Sequence, residues 1–165
     1  MVAAFGGWQT LQFHYDVLTD LDEVLRAVVK WTGAAACVAS VYDSDIAWVT
    51  GFGPHTKRWE TCLGLDVAAA EWAAVPDDVG DTSLWALTPE FAEAVSQKRA
   101  ELDGRVPSSA RGALAWARAA GFGQAVETAS IEGILRSGGT FVEEVFDTLL
   151  DRLGFPQARE PEGCG

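Results

Sequence analysis

Several groups in this chain have the types and spacing that chemistry would need. Asp77, Asp78 and Asp81 match the spacing of an acidic magnesium-binding cluster, but such a cluster must present its carboxylates on one helical face. Pro76 and Gly80 place the three in a loop, where carboxylates are simply solvated. Asp43 and Asp45 lack the further oxygen ligands and the glycine of a calcium loop, and a hairpin turn accounts for them. Cys62 with His55 would make a nucleophile and base, yet no nucleophile signature surrounds Cys62, which reads as a buried structural thiol. No Cys or His pair has zinc spacing. Ser137-Gly138-Gly139-Thr140 ahead of a helix could cradle a phosphate, but Glu143 and Glu144 already occupy the positive end of that helix dipole. Neither Gly51-Phe52-Gly53 nor Gly121-Phe122-Gly123 completes a dinucleotide fingerprint. We therefore expect no metal, no cofactor and no catalytic set.

The most informative stretch runs from Trp59 to Gln97. It holds Glu60, Asp66, Glu71, Asp77, Asp78, Asp81, Glu90 and Glu93 and not one Lys or Arg, with Trp59, Trp72, Trp85 and Phe91 among them. A solvated surface usually mixes its signs, whereas a one-sign field threaded with large aromatics suits a surface that meets a basic partner. Most of the seven tryptophans are expected in or near the core, because indole brings a large apolar area. Trp59, Trp72 and Trp85 nonetheless fall where interface anchors would be wanted. The expected partner-binding residues are Trp59, Glu60, Trp72, Asp77, Asp78, Asp81 and Trp85. The expected function is a non-enzymatic acidic protein that masks a basic protein partner, as an inhibitor or immunity-type protein does. The alternative is a small-molecule-binding protein or enzyme with a sheet–helix pocket, in which Asp16, Glu60 or Glu71 would do acid–base work if burial raised a pKa.

Composition sets the frame for both. The net charge of −12, from 24 acids and 12 bases, disfavours direct nucleic-acid binding, since phosphate contacts need a basic face and only residues 98 to 136 are mildly basic. Hydrophobic content of 48% with 22% charged residues is that of a folded chain. One α+β domain is expected over residues 1–156, with 157–165 as a flexible tail. Three cysteines (Cys37, Cys62, Cys164) are an odd number, and with no secretion signal expected from the first residues they speak against a disulfide framework; no apolar run approaches the length of a bilayer span. Membrane attachment is not expected, and the cytoplasm is.

Strands come first and helices after. Residues 8–15 alternate as a half-buried strand. Asp20 and Glu23 have capping-box spacing ahead of Leu21, Val24, Leu25 and Val28, a helical stripe that Gly33 ends. Ala35–Tyr42 and Ile46–Thr50 flank an Asp43-Ser44-Asp45 turn as a hairpin, which Arg58–Leu63 extends to a three-stranded meander. A short helix follows from Asp66 to about Val75. Thr88-Pro89 starts a helix expected to end at Asp103-Gly104, and Ser108 or Ser109 starts another that Gly121 closes. Ser130 opens a short helix. Thr140 and Glu143 form a capping box for the last one, whose stripe of Val142, Val145, Phe146, Leu149 and Leu153 stops at Gly154-Phe155-Pro156. The result is a small antiparallel sheet covered by several C-terminal helices.

Overall fold

The computed structural model of the chain describes residues 20–76 and 82–156, with 82 and 83 as backbone only, and the backbone of 2–3 and 9–10. The fold is α+β: a small antiparallel three-stranded sheet packed against several C-terminal helices. Strands β1 (Val2–Ala3) and β2 (Gln9–Thr10) pair with each other. The N-terminal strand expected at 8–15 is thus described only at Gln9–Thr10, and the rest of it lies outside the described residues. Helix α1 (Leu21–Thr32) follows, then β3 (Ala36–Tyr42), β4 (Ile46–Gly53) and β5 (Thr56–Leu63), a meander in the order β3-β4-β5. Helices α2 (Leu65–Glu71), α3 (Thr82–Trp85), α4 (Pro89–Ala119), α5 (Thr128–Arg136) and α6 (Val142–Arg152) complete the chain.

The register of the meander separates its two faces. Ala47 pairs with Leu63, Val49 with Thr61 and Gly51 with Trp59, so these side chains share the inner face, where Ala47, Val49 and Leu63 are fully buried. The inner face meets a core built from Trp116 of α4, Ile131 and Leu135 of α5, and Leu149 of α6. The opposite face carries Trp48, Thr50 and Phe52 of β4 with Glu60 and Cys62 of β5. Here α1 lies down: Asp22 reaches Arg58 at 3.0 Å, and the guanidinium of Arg26 sits 5.2 Å from the centre of the Phe52 ring. The Asp20 side chain accepts the Glu23 amide at 3.0 Å, the cap that the spacing predicts.

Three local expectations are corrected. First, α4 does not break at Asp103-Gly104: it is one 31-residue helix that runs through Gly104 and Pro107. An interior proline costs about 3 kcal/mol in an isolated helix. That cost is offset by tertiary burial, since Leu102, Val106, Ala110, Ala113, Leu114 and Ala117 recur at helical spacing on both sides of Pro107 and are all buried. Second, α2 is shorter than expected. It stops at Glu71, and it starts from Gly64, whose φ of +75° and whose contact with the Asp45 carbonyl leave no room for a β-carbon. Third, Thr140 and Glu143 do not form a capping box. Phe141 holds the N-cap position of α6 without a side-chain bond, and the β3–β4 turn takes over. Val142 N–H donates to the Ser44 carbonyl at 2.7 Å, and Ser44 Oγ donates to Glu143 at 2.8 Å.

Candidate functional site

Trp59 lies between the sheet and α4. Its ring is laid across Gly51 of β4, and its Cβ abuts Gly112 of α4: a β-carbon added at Gly51 would lie 2.0 Å from Trp59 Nε1, and one at Gly112 would lie 2.7 Å from Trp59 Cβ. Only 5% of the residue is exposed, and the Trp116 ring is 5.5 Å away. The two glycines are what let an indole fit between sheet and helix. Trp59 Nε1 has no hydrogen-bond partner among the described residues, a polar cost accepted for apolar filling.

Glu60 points to the other face and is half-buried. Its carboxylate bonds Arg58, which also holds Asp22, and its carbonyl accepts the Ser109 hydroxyl at 2.6 Å. That last bond satisfies an acceptor on the outer edge of β5, the edge that α4 covers. Trp72 caps the end of α2 and stands edge-on to Trp48 at 6.0 Å, 38% exposed. Trp85 packs on Phe91 at 6.2 Å, and its Nε1, though buried, also has no partner among the described residues. Asp77, Asp78 and Asp81 lie outside the described residues. The structure therefore puts Trp59 and Glu60 on opposite faces of one strand and gives Trp72 and Trp85 separate aromatic neighbours.

The remaining acids of the 59–97 segment divide into two sets. Asp66 is neutralised by Arg99 of α4 at 2.7 Å, as Glu60 is by Arg58. Glu71, Glu90 and Glu93 are exposed and pair with no Lys or Arg among the described residues. The same segment exposes Val67, Trp72, Val75, Leu84 and Leu87, the last two at 64% and 82%. Exposed aliphatic side chains were not among the residues expected from the sequence. Leu84 and Leu87 lie three apart just ahead of the Thr88 cap, which is the signal that could have marked them.

A groove of about 360 Å³ opens between β5 and α4. Its floor is Leu65, Leu102, Val106 and Cys62, all buried, with Trp48 at the side. Its rim is polar, with exposed Lys57, Arg58, Arg105 and Ser108. No signal along the chain pairs residues 57–62 with 102–112; they meet because α4 continues through Pro107.

The groups weighed for catalysis are placed as follows. Cys62 is 5% exposed, its Sγ lies 3.4 Å from the Leu63 carbonyl, and burial pushes the thiol up to about 11. Burial likewise pushes Cys37, on the inner face of β3, up to about 12. Both are protonated at neutral pH and poor nucleophiles. His55 is exposed in the β4–β5 turn, and Asp43 is exposed in the β3–β4 turn with a φ of +49°. Glu71 is exposed, and Asp16 lies outside the described residues. Among the described residues no three His, Cys, Asp or Glu side chains come together as a metal site would require, and no helix is long and apolar enough to cross a membrane.

Comparison of the chain with protein-family models, curated proteins and solved structures finds no match.

Proposed function

We propose that this chain is a non-enzymatic acidic binding protein that captures and masks a basic protein partner, as an inhibitor or immunity-type protein does. The observation that carries this reading is a coincidence within residues 59–97. Exposed Val67, Trp72, Val75, Leu84 and Leu87 share that segment with Glu71, Glu90 and Glu93, carboxylates that no cation of the described residues neutralises. Exposed apolar side chains supply contact area, and unpaired like charge in the same segment steers an oppositely charged surface and rejects acidic ones. The chain's net charge of −12 strengthens attraction to a basic partner at long range.

The test is capture by the immobilised full chain from a lysate of its native host at low and moderate salt, followed by affinity measurement with the retained protein. One basic protein, bound stoichiometrically and released as salt rises, is the expected result. Leu84→Ser with Leu87→Ser should then weaken it by at least about tenfold, as loss of central contacts does. The triple change of Glu71, Glu90 and Glu93 to Gln should slow association and flatten the salt dependence. Changing Asp77, Asp78 and Asp81 together to Asn should also weaken capture without lowering the melting temperature. A captured protein that binds the Leu and Glu variants like wild type, or no basic protein retained at either salt, would overturn the proposal.

A further inference from the structure

The groove between β5 and α4 reverses the charge balance of the chain. Lys57, Arg58 and Arg105 line it against a single carboxylate, Glu60, in a protein with twice as many acids as bases. The ion pairs around the rim do not close. Arg58 is held by Asp22 and Glu60, while Glu101 is shared between Lys98 and Arg105, and Lys57 pairs with no carboxylate among the described residues. The three lining cations and Lys98 thus share three carboxylates, Asp22, Glu60 and Glu101, of which only Glu60 lines the groove, and this leaves the rim one positive charge in excess. Below this rim the floor is formed by apolar side chains, with Leu65, Leu102 and Val106 each no more than 5% exposed. The groove volume of about 360 Å³ falls within the range that small ligands occupy, roughly 300–1,000 Å³.

We infer that this groove binds a small amphipathic monocarboxylate, its aromatic or aliphatic body on Leu65, Leu102 and Trp48 and its carboxylate at Lys57 and Arg105. A single negative group on an apolar body matches both the open charge of the rim and the composition of the floor. The Ser109 and Ser108 hydroxyls donate to the Glu60 and Arg105 carbonyls at 2.6 and 2.7 Å, which leaves Lys57 and Arg105 as the polar groups that select the ligand. The site is one of binding, not of covalent chemistry: the thiol in its floor, Cys62, is buried and protonated. It lies on β5 and the middle of α4, apart from Leu84, Leu87, Glu90 and Glu93, and stands or falls independently of partner capture.

The probe is naphthalene-2-carboxylate, titrated into the ¹⁵N-labelled full chain with 2-naphthalenemethanol as the neutral counterpart. Amide shifts confined to residues 57–65 and 102–112, with the carboxylate bound at least about fivefold more tightly than the alcohol, are the expected result. In a Lys57→Gln, Arg105→Gln variant the two should bind equally, and Ser108→Phe, which fills the rim from an exposed position, should abolish both. Saturable binding with shifts elsewhere, equal binding of alcohol and carboxylate to the wild type, or no shifts up to about 10 mM, a concentration weaker than any useful small-ligand site, would overturn the assignment.

Discussion

Replacing Gly51 by Ala adds one methyl group where the structure has no room for it. The new β-carbon would lie 2.0 Å from Trp59 Nε1, 2.5 Å from Cε2 and 2.9 Å from Cζ2, whereas unstrained carbon contacts lie near 3.5–4.0 Å. The indole must therefore shift by more than about 1 Å, judged against that contact distance. It has nowhere to go, because Gly112 of α4 closes on its Cβ and Trp116 packs alongside at 5.5 Å. Overpacking of a close-fitted core costs roughly 1–3 kcal/mol, and a rigid ring trapped between two backbones belongs at the upper end. Gly51 sits in the ordinary strand region of φ, so backbone strain does not enter, and the stiffer unfolded chain returns roughly 0.4–1 kcal/mol. We expect a net loss of about 2 kcal/mol, equivalent to roughly 4–8 °C in Tm for a chain of this size. Urea unfolding and thermal melts read it directly. A double-mutant cycle isolates the cause: in a Trp59→Leu background, which has space at the same spot, Gly51→Ala should cost less than about 0.5 kcal/mol. A Gly51→Ala protein as stable as wild type, or an unchanged cost in the Trp59→Leu background, would refute the placement of Trp59 as the plug between sheet and α4.

Two further outcomes follow from the titrating groups. The Asp103 carboxyl is held below its ordinary value of 3.8 by hydrogen bonds from Arg136 first and then Arg99, with burial opposing. A depressed carboxylate contributes stability that is present above its unfolded pKa and is lost as pH falls through its folded one, so the contribution starts to fall as pH drops below the ordinary value of 3.8. Asp103→Asn should therefore lower Tm at pH 7 and flatten its decline in acid, and a parallel decline in variant and wild type would remove the Arg99–Asp103–Arg136 bridge as a stabilising contact. The thiols of half-buried Cys37 and buried Cys62, pushed up to about 12 and about 11, should resist iodoacetamide in the folded chain at pH 7.5 and react on unfolding in urea. Rapid alkylation of Cys62 in the native protein, read by peptide mass, would contradict its burial.

Where a feature depends on neighbours in the chain it was legible; where it depends on contacts across the chain it was not. The Asp20 cap, the Gly33 stop, the Asp43-Ser44-Asp45 turn and the Thr88-Pro89 start are all local, and each stands where its residues place it. The break expected at Asp103-Gly104 failed for the opposite reason. Gly and Pro carry a local penalty, but the continuity of α4 is decided by Leu102, Val106, Ala110 and Leu114 finding β5, α5 and α2. The same holds at α6. Thr140 and Glu143 had the right spacing for a reciprocal cap, but the Ser44 carbonyl accepts the Val142 amide and the Ser44 hydroxyl, 99 residues from Glu143 in the chain, takes up the Glu143 carboxylate instead.

The charge pattern teaches a related point about sites. A run without Lys or Arg in sequence is not a bare negative field in space, because strands and helices bring cations in from elsewhere: Arg58 answers Glu60, and Arg99 answers Asp66. Among the described residues, what survives this folding correction is narrower than the sequence pattern, namely Glu71, Glu90 and Glu93 together with exposed Leu84 and Leu87. The tryptophans are filtered in the same way. Trp59, one of the three expected tryptophan anchors, is buried in the core because Gly51 and Gly112 make a slot for it, while Trp72 keeps a partly exposed edge. An aromatic becomes available to a partner only where the sheet and helices leave it unfilled space, so the aliphatic Leu84 and Leu87 offer a partner more contact than the indole of Trp59.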